Sequence, residues 1–225
     1  MTRTIFIGDV HGCPDELDAL LAECGWHPGD RVVLVGDLVA KGPDSAGVVQ
    51  RARERGMLAV KGNHDAHVLR WHAGRMPEHK KPKTEHRQVL DTLSDADWNF
   101  LKALPLYLRF PEYNVLVVHG GVVPGVPLEE QKPELLLNLR SITSKGKPSK
   151  KMADGVPWAS LWQGPERIIF GHDALRGLQQ HPHAIGLDSG CVYGGQLTAY
   201  VLPEARFYSV QAKRVYMNLG EVPVP

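Results

Sequence analysis

Five short apolar runs in this chain stop beside a glycine that carries an acid, an amide or an imidazole next to it. Thr4–Ile7 runs into Gly8-Asp9-Val10-His11-Gly12, and Arg31–Val35 into Gly36-Asp37. Met57–Val60 leads to Gly62-Asn63-His64, Val115–Val118 to His119-Gly120, and Arg167–Phe170 to Gly171-His172. Such short, β-branched apolar runs predict buried strands. Between the first three lie helical patterns. Leu17, Leu20 and Leu21 follow Pro14 within Asp15–Cys24, Ser45 can cap a helix through Arg55, and another helix is predicted to start near His64. Strand and helix in alternation predict parallel strands joined by right-handed crossovers. The carboxyl ends of such strands converge on one crevice. A single histidine or aspartate at a strand end is ordinarily structural. Five such ends, each with glycine to let the backbone approach closely, predict a site.

Further along, Ser94 predicts a helix N-cap for Ser94–Leu104, with Asp95 and Asp97 in the first turn. Beyond it strands dominate: Leu106–Phe110, Ala184–Leu187, Leu197–Leu202 and Arg206–Val210, besides the two already named. Two segments rich in lysine, proline and glycine, 74–87 and 144–155, are predicted as surface loops. Their charge fits a solvated face and a substrate-facing face equally well. The whole, residues 1–225, is predicted to be a single α/β domain with enough chain for a substantial core.

Composition narrows the function classes. With 26 basic and 25 acidic side chains the net charge is +1, so no global field points to DNA binding. No apolar run approaches the ~18 residues of a membrane span. Three cysteines, Cys13, Cys24 and Cys191, have no CxxC spacing, which predicts a reducing, cytoplasmic setting and no thiolate zinc site. Cys13 and Cys191 lie inside the strand-end motifs, either as small packing residues or as a redox-sensitive pair. Trp71, Trp158 and Trp162 are predicted to pack rather than stack on bases, because no basic stripe interleaves them.

Carboxylates, imidazoles and one carboxamide, without thiolate, suit manganese, iron, cobalt or zinc and do not suit calcium or an iron–sulfur cluster. Six ligands exceed what one catalytic ion needs. Two ions sharing a carboxylate, ~3.5–4 Å apart, would use them all and support in-line displacement at phosphorus.

The ordered series GDVHG, GDLVAKGP, GNHD, a strand-end His-Gly and a final Gly-His resembles the calcineurin-like metallophosphoesterases of the PPP type, across nearly the whole chain. "GDVHGC", "GDLVAKGPDS" and "GLDSGCVYGGQLTAY" are most similar to the symmetrical diadenosine tetraphosphatases and the ApaH-like phosphatases. The resemblance implies a four-layer α-β-β-α sandwich and two divalent metal ions, manganese first. It implies Asp9 and His11 on the first metal, Asp37 bridging, and Asn63, His119 and His172 on the second. His64 would be the general acid, and Lys41 and Arg140 would grip phosphate, Arg140 by a looser local match.

Two departures from the protein Ser/Thr phosphatases carry physical consequences. Ala40 stands where those enzymes commonly have an acid that orients the general-acid histidine, so the imidazolium of His64 should be held less firmly. Lys41 replaces an arginine, exchanging a bidentate fork for a point charge. The expected function is hydrolysis of phosphoric monoesters, on phosphoprotein or aryl phosphate, by direct attack of a metal-bridging hydroxide. The alternative is a symmetrical bis(5'-nucleosyl)-tetraphosphatase, whose anhydride leaving group needs less help from a proton. A non-catalytic phosphopeptide or metal binding module is the remote alternative. Expected partners are therefore a phosphorylated protein or a nucleotide polyphosphate.

Overall fold

A computed structural model describes residues 2–77 and 79–218. The first half runs β1 (Thr4–Ile7), α1 (Pro14–Glu23), β2 (Arg31–Leu34), α2 (Ser45–Glu54), β3 (Leu58–Ala59), α3 (Asn63–His72), α4 (Thr84–Thr92) and α5 (Asp95–Ala103). It continues through β4 (Tyr107–Phe110), β5 (Val115–Val118), α6 (Pro133–Asn138), β6 (Ser141–Ile142), β7 (Pro148–Ser149) and β8 (Val156–Pro157). The last strands are β9 (Arg167–Phe170), β10 (Gln179–His181), β11 (Ala184–Gly186), β12 (Gln196–Leu202) and β13 (Arg206–Gln211).

Two five-stranded sheets form, ordered β13-β12-β1-β2-β3 and β10-β11-β9-β5-β4. Three strands of each are parallel: β1, β2 and β3 in one, β11, β9 and β5 in the other. Antiparallel strands complete them, β12 and β13 beyond β1 in the first sheet, and β10 and β4 at the two edges of the second. The reason the inner positions of these runs are apolar without alternation is now visible. Ile5 and Ile7 face the helices α1 to α5, while Phe6 between them faces the second sheet. Val32 and Leu34 likewise face the helices, and Val33 and Val35 the inter-sheet core. Val115 and Val117 share that inter-sheet core, and Leu116 and Val118 turn outward. Each such side chain contributes about 1.5–3 kcal/mol on leaving water, so both faces of a strand drive assembly. The result is the four-layer sandwich that the resemblance implies. Its outer layer beyond the second sheet is thin: α6, short turns and the small β7-β6-β8 sheet, sealed by Trp158.

Some sequence expectations shift. Asp44, not Ser45, caps α2, accepting from Gly47 N at 2.7 Å. Ser45 Oγ instead accepts from Ala40 N at 3.0 Å and braces the preceding loop. Ser94 caps α5 as expected, with Asp97 closing the reciprocal box. The end of segment 74–87 is helical, since α4 begins at Thr84, and 144–155 contains β7 and a 3-10 turn. Trp158 and Trp162 pack in the third core, and Cys13 and Cys191 are unpaired and buried in the first.

Candidate metal centre

The two sheets pack so that the carboxyl ends of β1 and β9 meet, as do those of β2 and β5. His172 N, just past β9, donates to both carboxylate oxygens of Asp9 at 3.1 Å. His119, just past β5, donates from Nδ1 to Val35 O at 2.9 Å. Close approach at these seams excludes any side chain. A Cβ on Gly171 would lie 2.0 Å from Asp9 Oδ1, and one on Gly62 would lie 2.1 Å from Asp37 N and Oδ1. His11, Asp37, Ala40, Lys41 and His172 all have positive φ, a backbone strain that side chains other than glycine accept only where the surrounding structure enforces it.

Two groups of side chains bring ligand atoms within 4.8 Å of one another: His11, Asp37 and His64 in one, Asp9, Asp37 and His119 in the other. Asp37 belongs to both. Asn63 Oδ1 joins the second, 3.0 Å from His119 Nε2 and 2.9 Å from His172 Nδ1. All six ligand positions expected from the sequence are thus in one crevice.

The donor chemistry fits cations. With Nδ1 of His119 donating to Val35, its Nε2 faces Asn63 Oδ1 and, at 3.4 Å, Asp37 Oδ1. Only a proton or a metal ion can stand among those atoms. Without metal it is a proton: burial opposes the charge, but Asp37 and Asp9 raise the imidazole to about 10. His172 donates from Nδ1 to Asn63, leaving a buried Nε2 with no partner among the described residues. His11 donates from Nδ1 to Val39 O, and its free Nε2 takes a hydrogen bond from the Lys41 ammonium at 2.8 Å, a cation standing at a ligand lone pair. Carboxyls crowd here as well. Burial, then the Asp188 charge, raises Asp9 well above the usual range, and burial raises Asp188. Asp37 goes the other way: burial opposes its charge, but His119, His64 and His11 hold it well below. Divalent cations would satisfy every one of these groups.

A small cavity of about 120 Å³ opens over these residues, bordered also by Lys41, Arg140, Asp188 and Tyr193. Lys41 Nζ stands 5.2 Å above the Tyr193 ring. Arg140 reaches the site but is partly committed. It donates from Nη2 to His172 O at 2.9 Å and pairs from Nε with Asp173 at 3.4 Å. Asp188 was not singled out by the sequence, although it obeys the same rule: it follows β11 in "GLDSG", and Gly190 N donates to it at 3.1 Å.

His64 lies at the rim, its ring 5.0 Å from that of His11. Its Nδ1 faces His86 Nε2 of α4 at 3.4 Å, so the orienting neighbour is an imidazole. Burial, over the opposing charge of Asp37, lowers His64 to about 3 and leaves it neutral near pH 7. Ala40 is packed in the first core cluster, so a carboxylate there would meet apolar side chains. Asp65, the last residue of "GNHD", is the second site residue the sequence reading passed over. Fully buried, it accepts from Leu38 N at 3.0 Å, Val39 N at 3.3 Å and Gly62 N at 2.8 Å, tying the Asp37 loop to the Asn63 loop. Burial, then the Asp37 charge, raises its carboxyl to about 7.

Comparison with known proteins agrees with this geometry. Residues 2–206 match the family model for calcineurin-like phosphoesterases. The symmetrical bis(5'-nucleosyl)-tetraphosphatase of Salmonella paratyphi C is 33% identical over 97% of each chain. The asymmetrical bis(5'-nucleosyl)-tetraphosphatase PrpE of Oceanobacillus iheyensis is 30% identical over 94% of this chain and 93% of that one. A crystal structure provisionally assigned as a diadenosine tetraphosphatase superimposes with a TM-score of 0.86 at 40% identity, over 94% of both chains. The chain belongs to the calcineurin-like phosphoesterase family and is a metal-dependent phosphohydrolase.

Proposed function

We propose that the chain hydrolyses the phosphoanhydride bonds of dinucleoside tetraphosphates. This reverses the order of the sequence expectations, which put phosphoprotein and aryl monoesters first. The observation that carries it is the neighbour of His64. Its Nδ1 faces His86, not a carboxylate that would hold an imidazolium ready to protonate a serine alkoxide. A nucleotide phosphate departs from an anhydride as a weak base and needs that proton far less. The named relatives, aligned over nearly their full length, act on this substrate class and support the reading. The non-catalytic alternative has no support among them.

In this reading Asp9, His11, Asp37, Asn63, His119 and His172 would hold two divalent cations, Asp37 being the residue common to both ligand groups. Manganese suits the mixed oxygen and imidazole donors. Bound there, the cations would polarise the attacked phosphoryl group and lower the pKa of a coordinated water. Lys41 and Arg140 bind the non-bridging phosphoryl oxygens from the rim of the small cavity. His64 hydrogen-bonds the departing oxygen. Three unpaired cysteines support a reducing compartment such as the cytoplasm.

The test is initial-rate assay with manganese on diadenosine tetraphosphate and on a phosphoserine peptide, with chromatography of the nucleotide products. General-acid help is worth about 10²–10⁴-fold, so kcat/KM for the tetraphosphate should exceed that for the peptide by about a hundredfold. A peptide turned over as fast as the nucleotide would sink the reading. ADP alone identifies symmetrical cleavage; ATP with AMP identifies the asymmetrical mode.

A further inference from the structure

A second, much larger hollow adjoins the metal centre. It holds about 1040 Å³, against about 120 Å³ over the ligands, and Asn63 and His64 border both. The smaller space suits a single phosphoryl group, while the larger has the volume of a pocket for a drug-sized ligand or a nucleotide. Its walls are strongly cationic. Lys61, Arg70, Arg75, Lys80, Lys81 and Lys83 line it, from α3, its flanking turns and the run into α4. Among the described residues its one lining carboxylate, Glu134, is already paired to Lys150. In a chain of net charge +1, this is a local concentration of positive potential. An apolar stretch accompanies it: Trp71 lines the cleft, its indole tethered by a hydrogen bond from Nε1 to His67 Nε2 at 3.1 Å.

We infer that this cleft seats the departing half of the substrate, a nucleoside 5'-polyphosphate, with cations along the phosphate chain and Trp71 beside the base. The inference rests on the role given above to His64. A group that hydrogen-bonds the departing oxygen stands on the departing side of the phosphorus, and beyond His64 lies this cleft. Displacement in line then places the attacked phosphoryl group in the small cavity and sends the leaving chain between the lysines. Arg75, Lys80, Lys81 and Lys83 of the basic run thus face substrate, and Trp71 has a use beyond packing. An acidic peptide would find the cations but little use for the indole.

Lys80→Glu/Lys81→Glu is the decisive variant, because both residues are exposed in the run before α4 and should not disturb the core. A thermal melt checks the fold, and Lys83→Ala provides a milder second variant. Two readouts are needed. With manganese, kcat/KM for diadenosine tetraphosphate should fall at least about tenfold more than kcat/KM for nitrophenyl phosphate. In EDTA, without turnover, calorimetric affinity for ATP should fall about tenfold, and its salt dependence should flatten. Equal loss on both substrates, or ATP affinity that survives charge reversal, overturns the inference. So does an acidic peptide that competes for the cleft as well as ATP. If the wild type binds ATP here yet hydrolyses only monoesters, the cleft is a nucleotide site, but its role as the seat of the departing half is overturned together with the tetraphosphatase reading.

Discussion

The two hollows that meet at His64 are built on opposite principles. The small one is closed and over-determined: five of its six ligand residues are buried and Asn63 is half-buried, positive φ values recur, and glycines sit where a Cβ would strike a carboxylate. The large one is open and lined by long, exposed side chains with few partners. Chemistry on phosphorus demands positions held within fractions of an ångström, so it is placed on strand ends locked between two sheets. Selection of a flexible polyanion demands charge density and reach, which lysines on a loop provide without fixed geometry. It follows that changes in the closed region should lower turnover of every substrate alike, and changes in the open region should separate substrates by their size and charge.

Asp37→Asn should produce the largest effect and no separation. Asp37 is common to both ligand groups, and its carboxylate is stabilised by three histidines over the cost of burial. A neutral amide cannot balance two cations. Several kcal/mol of charge stabilisation vanish, so kcat should fall about a thousandfold or more on diadenosine tetraphosphate and on nitrophenyl phosphate together. Metal analysis should find one of two ions lost, and the metal-free protein should still fold but melt lower, because His119 and the His64 backbone N–H lose their carboxylate partner. Two tightly retained ions, or loss confined to one substrate, would break the proposed division.

His64→Ala probes the seam. It should separate substrates too, but by the basicity of the leaving oxygen and not by size. A neutral imidazole gives the departing oxygen a hydrogen bond but not a full proton, so phosphoserine turnover should fall about tenfold, and nitrophenyl phosphate and the tetraphosphate less. If nitrophenyl phosphate suffers as much as phosphoserine, His64 acts through position or through metal binding. Its place in the same ligand-atom group as His11 and Asp37 makes that a real alternative outcome.

The same contrast explains how much could be read from the sequence. The closed region was legible because each of its parts leaves a local mark, an apolar run, a glycine and a polar residue, and topology does the rest. Asp188 carries that mark too: the predicted strand Ala184–Leu187 is legible in the sequence and "GLDSG" follows it, yet its acid was not collected with the other strand ends. Asp65 left none, since an acid in the first turn of a helix looks like an ordinary dipole partner; its three backbone donors come from two separate loops. The open region was not legible. Its lysines look like solvated surface until the fold curls α3 and the run before α4 around them. In α4 only His86 and Val89 are buried, too weak a periodicity to outweigh the prolines and lysines before it. Ala40 shows the opposite failure. Its motif position implied a missing partner for His64, yet tertiary packing sends Ala40 into the core and brings His86 from a distant helix instead.

Asp65→Asn should give the smallest effect of the three and the most informative one about rigidity. The residue touches no proposed ligand atom through its carboxylate; it fixes the backbone of the two loops that carry Asp37 and Asn63. An asparagine oxygen can still accept from Leu38 and Val39, but its amide then meets Gly62 N donor to donor. One buried donor is left unpaired, which costs about 1–3 kcal/mol and should lower the melting temperature of the metal-free protein. Supporting residues of this kind usually alter metal affinity by about 10–100-fold. Activity at limiting manganese should therefore drop on nitrophenyl phosphate and on diadenosine tetraphosphate in equal proportion, and excess manganese should restore most of it. Separation of the two substrates, or a loss that saturating metal does not relieve, would show that Asp65 shapes the approach of substrate and that the closed and open regions are not independent.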